Sequence, residues 1–149
     1  GADSVRLFIL SDSPPEKDIQ WSEQGMISSY KFIQKLWTLH KEIKIKIFKE
    51  SKENQDKEID KFTNQTISKI TNNLERFNYN VIIANMYETY NYLVNYIKNN
   101  KNLNNLEQNY IKILICFSPV IPHFANECLV DLGFKEKCST CERKKSIES

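Results

Sequence analysis

No glycine lies between Gly25 and Gly133, and no proline between Pro15 and Pro119. Residues that break or sharply turn a chain are thus missing from most of its length, which favours a few long regular elements over many short ones. The spacing of apolar residues makes those elements helical. Past Gly25, the residues Ser29, Ile33, Leu36, His40, Ile43 and Ile47 step by four, three, four, three and four, the signature of one helix face. Ile43, Ile45 and Ile47 also alternate, as in a strand. The length of the segment and its continuing spacing favour helix, giving one long amphipathic element over residues 25 to 49. Two adjacent prolines precede it. Each ring fixes φ, and Pro14 pushes Ser13 out of the α region, so residues 13 to 15 form a stiff polar loop. Ser22 is placed to cap the helix that follows.

The rest of the chain continues the pattern. Residues 2 to 10 are apolar and helix-compatible. The hydrophilic run from Glu50 to Lys57 reads as the tip of a helical hairpin. A helix over about residues 57 to 76 buries Ile59, Phe62, Ile67, Ile70, Leu74 and Phe77. Asn78 or Asn80 then caps a helix over about residues 80 to 99, with Val81, Ile82, Ala84, Met86, Tyr90, Leu93, Val94 and Ile97 on its apolar side. The flanking Tyr87, Asn91, Tyr92, Asn95 and Tyr96 suit either base stacking or rings buried between helices with wet hydroxyls, and the second reading is the simpler. The asparagine-rich residues 99 to 105 form a linker. Leu103, Leu106, Tyr110, Ile113, Leu114 and Phe117 mark a further helix, broken by Pro119 and Pro122. A short helix with Phe124, Cys128, Leu129 and Leu132 stops at Gly133, a natural C′ residue. His123, at its start, reads as a packed or capping group, not a ligand or base. The expected fold class is all-α, an antiparallel helical bundle.

Charge is distributed unevenly. Residues 25 to 49 hold Lys31, Lys35, Lys41, Lys44, Lys46 and Lys49 against Glu42 alone, a net +5. The whole chain is +2, which leaves −3 for the remainder. At about 100° per residue, Lys31, Lys35, Lys46 and Lys49 fall within roughly 60° of one another, across the axis from Ile33, His40 and Ile47. Such a stripe is either a solvated face or a surface for a polyanion's phosphates. No stretch approaches the ~18 apolar residues of a membrane span, and no signal-peptide pattern is present. Cys116 and Cys128 lie in apolar helical stretches and read as free buried thiols, which suits a reducing cytosolic setting. Cys138 and Cys141 form one C-x-x-C, half the ligand set of a structural zinc, with no second pair to complete it. No metal site is expected. Nor is there a glycine-rich phosphate loop or a Ser/His/Asp set, so no catalytic residue is assigned. Asp3 and Arg6 read as structural partners.

Several local motifs carry a resemblance. Gly1-Ala-Asp-Ser-Val-Arg-Leu-Phe8, Ser13-Pro-Pro-Glu16 with Trp21, and Tyr30-Lys-Phe-Ile-Gln-Lys-Leu-Trp37 resemble the part of leucyl-tRNA synthetase that runs from just after its second catalytic signature into its helical anticodon-binding domain. Arg76-Phe-Asn78 is similar to a helix start in that family. Ser118-Pro-Val-Ile-Pro-His123 with Glu127 is similar to a Pro-His-containing segment of the same bundle. The first of these motifs is shared among class I synthetases, whereas the Ser-Pro-Pro-Glu loop with its Trp is more particular to the leucine enzyme. The similarity extends over about residues 1 to 133, and the chain reads as a piece of a longer protein. It implies a link from the catalytic core over residues 1–22, an anticodon-binding helical bundle over 23–133 and a divergent tail over 134–149.

The resemblance also implies a function. The full-length enzyme joins leucine to its tRNA using ATP and Mg²⁺, but the two signatures of the nucleotide site are absent here. This chain is expected to need no cofactor and to catalyse nothing alone. Its expected role is to bind and orient leucine tRNA as a cytoplasmic monomer beside the remaining synthetase domains, with no membrane partner. Lys31 and Lys35 match basic positions of the motif before Trp37 and are expected against the tRNA backbone, with Lys46 and Lys49 as outer contacts. The alternatives are a helical module that docks a protein partner, and the same domain of a valine, isoleucine or methionine enzyme.

Overall fold

The computed structural model describes residues 1–11, 22–48, 57–99 and 105–134. Six helices account for nearly all of them: α1 (Ala2–Ser11), α2 (Glu23–Phe48), α3 (Lys57–Glu75), α4 (Tyr79–Asn99), α5 (Leu106–Phe117) and α6 (Pro122–Asp131). Among the described residues there is no strand. The Pro-Pro loop, the hydrophilic tip, most of the asparagine-rich linker, the tail, Trp21 and the Cys138/Cys141 pair lie outside them.

α2 is the axis of the bundle. At 1.5 Å per residue its 26 residues extend about 39 Å, and it packs against α1, α4, α5 and α6. Its buried side is the expected one, with Ser29, Ile33, Leu36, His40 and Ile43 joined by Phe32 and Leu39. Ile43 is fully buried and Ile45 59% exposed, so the isoleucine alternation resolves as helix. Ser22 caps this helix, its Oγ accepting the Gly25 amide at 3.2 Å, while the Ser22 carbonyl accepts the first intrahelical bond from Met26. Gly25 also sits hard against the buried Phe8 of α1. A Cβ there would lie 2.5 Å from the ring, so the bare backbone is what lets α1 and α2 close together.

α3 packs on α4 and α5, while α1 wedges between α2, α4 and α6. The α3–α4 seam is aromatic: Phe62 stacks on Tyr92 with centroids 3.6 Å apart. Tyr96 is buried and Tyr87 stacks on Phe32 at 3.9 Å, so the tyrosines of α4 serve helix packing. A polar tie joins α3 to α5, where Asn109 Nδ2 donates to Asp60 Oδ1 at 2.8 Å. In α5, Leu106, Tyr110, Ile113, Leu114 and Phe117 are all buried as the periodicity requires.

The sequence pattern misplaces a few residues. On α4, Val81 is 41% exposed and Ala84 is exposed, while Ile83 and Asn85 take the inward positions. On α3, Thr63 and Thr66 are buried. Phe77, expected in the core, is 64% exposed. The reason is local. α3 ends at Glu75, and Phe77 occupies the left-handed C′ position with φ 57°. Its amide bonds to the Leu74 carbonyl at 3.2 Å and the Asn78 amide to Asn73 at 2.9 Å, the paired bonds of a Schellman stop. α6 ends the same way, with Gly133 at φ 78°, Gly133 N–H to Val130 at 2.9 Å and Phe134 N–H to Leu129 at 3.0 Å. Two identical stops thus carry different residues, and only that of α6 has the glycine that the left-handed position favours. Phe77→Gly should therefore stabilise the chain by about 1 kcal/mol through relief of the left-handed strain, measured as a raised urea midpoint. An unchanged or lowered midpoint would mean that the Phe77 ring makes a compensating contact.

Candidate nucleic-acid interface

The outward face of α2 carries the charge. Within Glu23–Phe48 five lysines stand against Glu23 and Glu42, whereas α6 holds Glu127 and Asp131 with no lysine or arginine. Lys31, Lys35 and Lys41 are exposed and Lys46 is half-buried; Lys49 lies outside the described residues. The helix therefore presents Lys31 and Lys35 together, one turn apart, with Lys46 further along the same side.

The lysines are not equivalent. Lys44 donates to Asp131 Oδ1 at 2.9 Å, so its charge is already engaged. Among the described residues, Lys31, Lys35, Lys41 and Lys46 have no carboxylate within ion-pair distance. Unpaired ammonium groups on one helix face attract polyanions without regard to sequence.

Behind this face lies a polar cluster, buried at His40 and Tyr110. His40 Nε2 donates to Asp131 Oδ2 at 2.8 Å, and His40 Nδ1 meets the Tyr110 hydroxyl at 2.7 Å. Bonds from Lys44 first, and from His40 second, hold the Asp131 carboxyl below its ordinary range. Burial drives the Tyr110 phenol well above its own. The cluster ties α2, α5 and α6 together and fixes the helix that carries the lysines.

The other groups that could do chemistry have structural roles. Asp3 is buried and accepts the His123 amide at 3.3 Å and the Phe124 amide at 2.6 Å, so it caps α6. His123, expected as a packed or capping group, has a ring that is not packed. It is 69% exposed and pairs with Glu127 at 3.1 Å, because Pro122 and His123 begin α6 at the surface. Burial pushes the Cys116 thiol up to about 11 and the Cys128 thiol up to about 12, so both are protonated at neutral pH and neither is a nucleophile. Among the described residues no His, Cys, Asp or Glu side chains gather as a metal site would require, and no helix is long and apolar enough to cross a membrane.

The family to which this helical frame belongs is shown by comparison with known proteins. The model of the anticodon-binding domain of tRNA ligases matches residues 56–148, and the chain belongs to that family. Its curated relatives include leucine–tRNA ligases. It is 31% identical to that of Bartonella henselae over 99% of its own length. It is 37% identical to that of Thermosipho melanesiensis over 89%, and 36% identical to that of Fusobacterium nucleatum over 91%. The chain spans only 17 to 18% of these relatives.

Proposed function

We propose that this chain is the tRNA-binding helical domain of a leucine–tRNA ligase, the enzyme that joins leucine to its tRNA with ATP and Mg²⁺. The remaining domains of that enzyme, the cytoplasmic setting and the leucine tRNA itself belong to the same proposal. The observation that carries it is the match over nearly the whole chain to leucine–tRNA ligases, combined with an outward lysine face on the axial helix. Lys31 and Lys35 are the central backbone contacts, with Lys46 and Lys49 outside them. Lysine on phosphate provides affinity and register; it reads no base. The helix positions the tRNA body and leaves the chemistry to the rest of the enzyme.

The test is a titration of the 149-residue chain with a leucine tRNA and a non-cognate tRNA at several salt concentrations. If three phosphates are neutralised, affinity should fall about 40-fold between roughly 50 and 200 mM salt. Lys31→Ala with Lys35→Ala should weaken binding and reduce the steepness of that dependence by about two in log–log slope, one per phosphate lost, with the helical circular dichroism unchanged. An affinity equal to wild type at low salt would remove both lysines from the interface.

A further inference from the structure

The lysine face has a neighbour. Beside it, between the first turn of α1, the outer side of α2 and the start of α6, lies an open cleft of about 630 Å³. Tyr30, Gln34, Trp37 and Lys41 of α2 line it, with Asp3 and His123 opposite. Its volume falls within the ~300–1,000 Å³ range of small-ligand sites. We propose that this cleft receives one unpaired nucleotide of the RNA held by the lysine face, its base against Tyr30 and Trp37 and its phosphate toward Lys41. The proposal rests on the tRNA-binding reading given above.

Three observations favour a nucleotide. First, the cleft is lined by the same helix that carries the cationic face. At about 100° per residue, Tyr30, Gln34 and Lys41 occupy an arc of α2 centred roughly 100° around the axis from that of Lys31 and Lys35, within reach of a nucleotide whose neighbours lie on those lysines. Second, the walls combine what an unstacked base requires, an accessible ring and hydrogen-bonding groups. Tyr30 is 50% exposed, and Gln34 Nε2 donates to its hydroxyl at 3.0 Å, which holds the ring in place. Trp37 is anchored from behind by Phe124, edge to face with centroids 4.8 Å apart. Third, the charge suits an anion. The Asp3 carboxylate is engaged by two amides of α6 and His123 is paired with Glu127, while Lys41 has no carboxylate partner among the described residues.

The variants are Tyr30→Ala and Tyr30→Phe, titrated with the same leucine tRNA transcript across the same salt series. Tyr30 is half-exposed, so neither change should alter the fold, which circular dichroism verifies. Tyr30→Ala should weaken binding about five- to tenfold through loss of base stacking. Its salt slope should match wild type, because no phosphate contact is removed. Tyr30→Phe keeps the ring and should retain most of the affinity. Wild-type affinity in Tyr30→Ala, together with the expected slope loss in the lysine double variant, would overturn the nucleotide site while leaving the lysine interface standing. Absence of salt-dependent binding by the wild-type chain would overturn both.

Discussion

Asp3→Ala should destabilise the chain by about 3 kcal/mol, read as a lowered urea midpoint with an unchanged transition slope. The reasoning begins at the start of α6. Its N-cap residue is Ile121, which has no side-chain acceptor and makes no capping bond. Pro122, at the first helical position, has no amide proton to satisfy. The next two amides, of His123 and Phe124, do need partners, and Phe124 is buried. Both bond to the Asp3 carboxylate, the second at 2.6 Å. Asp3 thus does from α1 what a serine or aspartate at position 121 would do locally. Its negative charge also faces the positive end of the α6 dipole. Hydrogen bonds to a charged group contribute about 1.5–3 kcal/mol each, and a stranded buried amide costs about 1–3. Since water can reach the more open of the two amides, about 3 kcal/mol is the expected sum. Asp3→Asn retains one acceptor oxygen and should lose about half as much. A loss below about 0.5 kcal/mol in Asp3→Ala would show that both amides find other acceptors.

This capping bond marks the limit of what the sequence discloses. The six helices were legible because amphipathic spacing is a local property, and Ser22 and Gly133 were legible because caps obey local rules. Asp3 was recognisable only as a structural partner. Nothing in residues 1–11 names an amide 120 positions away, and the one local clue was negative: an isoleucine where α6 needs a capping side chain. Phe77 was misassigned for a similar reason. Its spacing from Ile70 and Leu74 fits the buried stripe, but the helix stops two residues earlier and turns the ring outward. Thr63 and Thr66 were passed over because hydropathy ignores a methyl group that packs well. For the lysine face, the sequence disclosed charge and angle. It did not separate Lys44, whose partner Asp131 comes from α6, from the lysines that have no carboxylate partner among the described residues. It also showed nothing of the cleft, which exists only once α1, α2 and α6 meet.

His40→Ala should cost about 3 kcal/mol, for a reason that also predicts how acid acts on this fold. The imidazole is 2% exposed and is held at both nitrogens, by Asp131 from α6 and Tyr110 from α5. Removing it opens a cavity and takes away one of the two hydrogen-bond partners of the buried Tyr110 hydroxyl, leaving it the weaker Cys128 thiol. Tyr110→Phe alone leaves Nδ1 without its partner and should cost about 1 kcal/mol. The double variant should therefore be less destabilised than the sum of the two, by about 1 kcal/mol, since each change alone removes the same His40–Tyr110 bond. Strict additivity would mean that the two side chains are not coupled. The acid response follows from Asp131, whose carboxyl is held below its ordinary range by Lys44 and then by His40. A carboxyl depressed by folding stabilises the native state above its unfolded value of about 3.9, and that contribution is lost as pH falls through the lower, folded value. Because Asp131 is 45% exposed, solvent screening keeps its share under about 1 kcal/mol. Measured from about pH 5 downwards, wild-type stability should fall more steeply than that of Asp131→Asn, which has no carboxyl to protonate there. Parallel curves would mean that Lys44 and His40 gain nothing from the charge they hold in place.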